Sequence, residues 1–99
     1  MEQMPEFKGG RKGVLSFLKE NLHYPEGATS EGKVFVTFTV AADGRVKNAS
    51  IVKGLEPLLD QEVLRVIKLM PAWNPGNQQG RAVDVRYTLP ITFSLTEDE

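Results

Sequence analysis

The residues in this chain that could do chemistry are few, and their spacing argues against a catalytic centre. There is one histidine, His23, and no cysteine among 99 residues. Disulfides and thiolate metal sites are therefore excluded. A metal centre needs several His or carboxylate ligands gathered together, and no such spacing is present. Asp60 and Glu62 lie close together on a predicted helix, but Asp60 reads as its N-cap. Asp43, followed by Gly44, reads as a turn residue. His23, beside Tyr24, reads as a partly exposed residue at a helix end. The glycines in residues 74–80 lack the Lys-Ser/Thr that completes a phosphate loop. Trp73 reads as a lid over the core whose indole N–H finds a carbonyl, with a recognition role as the alternative. These readings predict no enzyme activity and no cofactor or metal. Function is expected to lie in a surface.

Composition narrows the kind of surface. The formal net charge is -1, with 12 basic and 13 acidic residues scattered along the chain. Nucleic-acid binding requires clustered Lys and Arg, so no nucleic-acid partner is expected. Residues 32–38 loosely match the aromatic strand of RNA-recognition sheets. Only Phe35 would stand on the open face, and the opening strand of such domains is missing. Phe35 is instead expected to be covered by the N-terminal lead-in or by a partner. No apolar run approaches the roughly 20 residues of a membrane helix, and no signal peptide opens the chain. The length suits one domain over residues 1–99, with an extended lead-in at 1–10 and a frayed acidic end at 96–99.

The elements that must carry this surface follow from hydrophobic periodicity. Val14, Leu15, Phe17, Leu18 and Leu22 fall in one helical arc within residues 11–22, and Pro25 turns the chain away from helical angles. Residues 33–40 alternate, with Val34, Val36, Phe38 and Val40 on one face. Asp43-Gly44 predicts a turn into a returning strand over 46–53. A loop over 54–59 then leads to a second helix from Asp60, with Val63, Val66, Ile67 and Met70 as its apolar stripe. Pro71 ends it. The last run alternates longest: Val83, Val85, Tyr87, Leu89, Ile91, Phe93 and Leu95 share one face. The resulting fold class is α+β, in the order α-β-β-α-β. Its two layers are a three-stranded antiparallel sheet and two helices packed on one face.

Pro90 interrupts that last strand. Proline cannot donate to a ladder, so it belongs on an edge with its nitrogen outward. The strand is therefore predicted to be an edge. Pro90 either guards that edge against stray pairing or divides a docking edge into two usable stretches.

Together these motifs resemble the C-terminal domain of TonB energy transducers, from about Met4 to Leu95. The likeness is carried by Met4-Pro5-Glu6-Phe7, by Asn21-Leu22-His23-Tyr24-Pro25 and by Gly32-Lys33-Val34. It continues through Asp43-Gly44-Arg45-Val46, Leu59-Asp60, Met70-Pro71-Ala72-Trp73 and Pro75-Gly76, then the strand to Phe93-Ser94-Leu95. The connection between Pro25 and Gly32 is shorter than in many relatives. The resemblance implies a periplasmic domain of a longer protein, anchored in the inner membrane by an N-terminal helix and coupled there to a motor complex. It implies a partner, the TonB box of TonB-dependent outer-membrane receptors, which joins the sheet by strand addition and so couples proton motive force to nutrient import. The implied binding residues are Leu22, His23 and Tyr24, with Asp84, Arg86, Thr88, Leu89, Ile91, Thr92, Phe93 and Ser94 of the last strand. The alternative reading is an interaction or dimerisation domain on a membrane sensor or peptidase-like protein, its open edge pairing with a second copy.

Overall fold

A computed structural model describes residues 2–95. The acidic tail expected to fray, residues 96–99, lies outside the described residues. The chain runs α1 (Gly10–Asn21), β1 (Gly32–Val40), β2 (Val46–Lys53), α2 (Pro57–Lys68), β3 (Gly76–Gln78), β4 (Arg81–Val83) and β5 (Val85–Phe93). β1 is the centre of a three-stranded antiparallel sheet in the order β2-β1-β5. β5 pairs with all nine residues of β1 without a break, from Gly32 opposite Phe93 to Val40 opposite Val85. The β1–β2 register shifts twice, between Phe35 and Val36 and between Thr37 and Thr39. Asn48 sits at the second irregularity with a left-handed φ of 56°, as expected where a bulge inserts an extra residue.

The alternation of β1 dictates the core. Val34, Val36, Phe38 and Val40 are fully buried in one cluster with Leu59, Val63 and Ile67 of α2. Leu89, Ile91 and Phe93 extend this apolar face across β5. Val14, Phe17 and Leu18 of α1 pack on the same cluster only partly, and α1 buries no residue completely. The two layers and the α-β-β-α-β order of the main elements are thus as the periodicity predicts. A second small sheet, the β3–β4 hairpin, is additional. Its strands are three residues each within a stretch of turn formers, too short to show an alternation.

Three local expectations are corrected. α2 begins at Pro57, with Glu56 at the cap, so residues 57–59 are helix rather than loop. Pro57 suits the first turn because its missing N–H would be unpaired there anyway. Asp60 is therefore not the N-cap; its Oδ1 reaches back to accept the Leu55 N–H at 3.1 Å. Trp73 is indeed a lid, buried between Phe7, Phe38 and Tyr87 at ring distances of 5.4, 5.6 and 5.0 Å. Its Nε1, however, has no acceptor among the described residues. The lead-in does not reach Phe35. Gln3 and Glu6 bridge to Asn77 and Asn74, and Phe7 packs on Phe17 and Trp73. Phe35 stays half-buried on the other face of the sheet, flanked in register by Pro90 and Lys53.

The β1–β2 turn is clamped to that lid. Gly44 adopts φ 91°, and its carbonyl accepts the Trp73 N–H at 2.8 Å. A Cβ at Gly44 would stand 2.2 Å from the Trp73 carbonyl oxygen, whereas one at Gly80, also left-handed, meets nothing within 4 Å. Left-handed backbone alone costs a non-glycine residue about 1–2 kcal/mol. Gly44→Ala should therefore lower stability clearly more than Gly80→Ala in urea denaturation. Equal losses would mean that the close approach to Trp73 is unimportant.

Candidate functional site

Pro90 fixes the lateral orientation of β5. It lies opposite Phe35, and an unbroken ladder requires that the residue without an N–H occupy a non-hydrogen-bonded pair. Leu89 and Ile91 then exchange bonds with Val36 and Val34, and the alternation aims the N–H groups of Arg86, Thr88 and Thr92 away from β1. The Tyr87 carbonyl does face β1, where it accepts from Thr37 Oγ1 at 3.3 Å. Among the described residues no strand pairs with the outer side of β5.

The side chains sort by the same parity. Leu89, Ile91 and Phe93 are buried in the core, while Arg86, Thr88 and Thr92 are exposed on the open face. Arg86 reaches across β1, donating from Nη1 to Thr39 Oγ1 at 2.8 Å and to the Asn48 carbonyl at 3.0 Å. It thereby ties β5 to the bulge in β2. Thr88 Oγ1 donates to Thr37 Oγ1 at 3.4 Å. Asp84 lies just before β5; it accepts the Ala42 N–H at 2.8 Å and faces Lys47 Nζ at 3.8 Å. Ser94 lies just beyond the strand. Asp84 and Ser94 thus flank opposite ends of one edge.

Leu22, His23 and Tyr24 form the extended exit from α1. The Tyr24 ring stands edge-on to Phe93 at 6.0 Å, and its hydroxyl donates to the Ser30 carbonyl. This contact brings the segment to the C-terminal end of β5 and leaves Asp84 at the far end. The His23 imidazole is exposed; what holds the segment is its backbone. The His23 N–H donates to Glu62 Oε2 at 2.8 Å. Arg65 grips the same carboxylate from Nε at 2.9 Å and Nη2 at 2.8 Å, and Nη2 also donates to the Asn21 carbonyl at 2.8 Å. Arg65 and Glu62 both lie off the apolar stripe of α2, and periodicity alone assigns neither a part in this link.

The electrostatics follow from these bonds. Arg65 holds the Glu62 carboxyl below the usual carboxylate range; partial burial opposes it, and the His23 N–H adds to the lowering. Glu56 is lowered by the Ser30 side chain and by the Thr29 and Ser30 N–H groups, the latter at 3.2 and 2.9 Å. Burial, with Glu56 and Glu31 nearby, pushes the Tyr24 hydroxyl up. Glu56 at the cap of α2 and Glu62 within it thus fasten the connection between α1 and β1. Among the described residues no three His, Cys, Asp or Glu side chains gather as a metal site.

A groove of about 420 Å³ runs between α1 and the outer edge of β5, lined by the lead-in, Val14, Leu15, Leu18, Trp73 and residues 87–90. Sequence reasoning missed it. The only signal was that α1 carries a broad apolar arc for a helix beside a small sheet. Leu15, on that arc, is 61% exposed.

Comparison with known proteins gives one consistent result. The family described as Gram-negative bacterial TonB protein C-terminal matches residues 20–95. The chain is similar to the solution structure of the Helicobacter pylori TonB C-terminal domain spanning residues 179–285, at 29% identity and a TM-score of 0.64. That match covers 86% of this chain and 79% of the other. A shorter H. pylori structure, residues 194–285, gives 26% identity and a TM-score of 0.60, covering 88% of this chain and 95% of the other. No curated protein matches.

A pH dependence follows from Glu62. Its folded-state pKa is lowered from 4.5, so its contribution is fully present above that value and is lost as the pH falls through the lower folded one. Glu56 acts in the same direction. Glu62→Gln should be less stable than wild type at pH 7 and should lose less stability on acidification below 4.5. Urea midpoints from pH 7 to 3 test this; parallel acid slopes for the two proteins would refute it.

Proposed function

Because the chain belongs to the Gram-negative bacterial TonB C-terminal family, we propose that it is the periplasmic receptor-binding domain of a TonB-type energy transducer. The outer edge of β5 takes up the TonB box of an outer-membrane receptor as an added strand. Leu22, His23 and Tyr24 lie beside it at the Phe93 end. A preceding membrane-anchored segment connects the domain to an inner-membrane motor complex, and the resulting tension drives nutrient import.

The observation that carries this reading is the inequality of the two sheet edges. β2 is interrupted by two register shifts and carries Lys47 and Lys53, a pattern that discourages pairing. β5 is regular over nine residues, with outward N–H groups at Arg86 and Thr88 before Pro90 and at Thr92 after it. Each main-chain bond to a visiting strand contributes a net of about 0.5–1.5 kcal/mol. Ordering a flexible segment costs roughly 2–5 kcal/mol. A handful of bonds therefore gives modest, reversible affinity. Backbone pairing also tolerates many partner sequences, which suits one transducer serving several receptors.

Two proline substitutions test the edge. Thr88→Pro removes an outward N–H and should weaken peptide binding while leaving the fold intact. Leu89→Pro removes a ladder N–H to β1 and should unfold the domain. Circular dichroism and titration with a receptor N-terminal peptide, read at the amides of β5, distinguish the two. Equal unfolding by both would show the parity to be reversed. Shifts confined to β2 would refute the docking edge. A peptide-insensitive dimer in sedimentation, with β5 protected, would favour an assembly domain.

A further inference from the structure

The lead-in is fastened by more than the burial of its apolar residues. Gln3 and Asn77 exchange both backbone bonds, at 2.8 and 2.9 Å, and Glu6 and Asn74 exchange both at 3.0 and 2.8 Å. Both bridges are antiparallel, so residues 3–6 lie as an outer strand on the β3–β4 hairpin. β3 is itself antiparallel to β4. The lead-in therefore runs in the same direction as β4, and β4 continues through Asp84 into β5. Gly76 is the close-packed point of this stack. A Cβ there would stand 2.8 Å from Val85 Cγ2, 3.0 Å from the Gln3 carbonyl oxygen and 3.3 Å from Pro5 Cδ. Core coverage needs only Pro5 and Phe7, which are buried; Gln3, Met4 and Glu6 are exposed. The backbone bonds of Gln3 and Glu6 thus serve attachment and bury no apolar side chain of their own. Beyond them Phe7 meets Trp73, whose ring meets Tyr87 of β5. Gly9 and Gly10, both left-handed, then turn the chain into α1.

Resting on the reading that a preceding segment pulls on this domain, we propose a mechanical function for the lead-in. With the β3–β4 hairpin it forms the joint through which tension enters the docking strand. Ladder bonds between antiparallel strands stand perpendicular to them. A pull along the lead-in therefore shears its four bonds to β3 together instead of opening them one at a time. It must also withdraw Phe7 from its contacts with Phe17 and Trp73. The load crosses from the lead-in to β3, from β3 to β4, and passes along the backbone at Asp84 into β5. α1 lies downstream of these bonds. It has no side-chain hydrogen bond at its N-cap and buries no residue completely, so it is poorly built to bear traction. While the joint holds, the backbone of α1 carries none.

The test stretches single molecules of the domain with optical tweezers. One handle is at the C-terminus. The other is at the N-terminus or at Lys8→Cys, an exposed position just beyond the joint in a chain with no other cysteine. No peptide takes part, so the result is separate from the titration that tests β5 as the docking edge. The domain should yield at a higher force when pulled from the N-terminus than from Lys8→Cys. Gln3→Pro removes one lead-in donor without touching the hairpin. It should abolish that difference, leaving the Lys8→Cys force and the urea midpoint unchanged, whereas Gln3→Ala, which keeps the N–H, should behave as wild type. Equal forces from the two attachment points would overturn the proposal. So would a lead-in that peels away in a separate low-force step before the rest unfolds, because the load would then fall on α1. If Gln3→Pro lowers both forces together with the urea midpoint, the bonds serve stability alone and the joint is refuted. A stronger N-terminal pull beside a failed peptide titration would sink the docking edge and leave the joint standing.

Discussion

The organisation of this domain depends on one missing hydrogen. Pro90 has no N–H, so its place opposite Phe35 decides which β5 residues face β1 and which face outward. The decision propagates along the strand, because a strand has a strict period of two. The inward-bonding residues Leu89, Ile91 and Phe93 are the ones whose side chains are buried. The outward-facing ones, Arg86, Thr88 and Thr92, carry their side chains on the solvated face. One constraint therefore joins core packing to edge chemistry, and a one-residue slip would lose both together.

The three-stranded sheet and both helices could be read from periodicity because each buries one stripe. β1 and β2 fall within a residue of their expected bounds, and the Asp43-Gly44 turn is present. The errors share a cause. Asp60 has the right chemistry for a cap, but Pro57 was available one turn earlier and set the helix start. The β3–β4 hairpin is too short to show alternation. The Trp73 environment and the Glu62–Arg65 link to His23 are contacts between residues distant in sequence, which no local pattern encodes. The edge position of β5 was legible from Pro90 alone, whereas the groove depends on the angle at which α1 meets the sheet.

The aromatic cluster explains how the lead-in joins the fold. Phe7 meets Trp73, which meets both Phe38 in the central strand and Tyr87 in the edge strand. Such edge-on pairs contribute about 0.5–1.5 kcal/mol each beyond simple burial. The bridges from Gln3 and Glu6 to Asn77 and Asn74 fasten the same region through the backbone. The start of the described chain is thus joined to β5 through the Trp73 ring and to α1 through Phe17.

The bulges in β2 have a consequence for how copies of this domain can meet. Endless β-fibrils require every molecule to offer two competent edges, one to receive and one to template the next. Here one edge is contorted by Asn48 and the second register shift, and only the opposite one is straight. Lateral growth therefore halts after a single addition, because a pair of copies joined through β5 presents only the bulged β2 edges to a third.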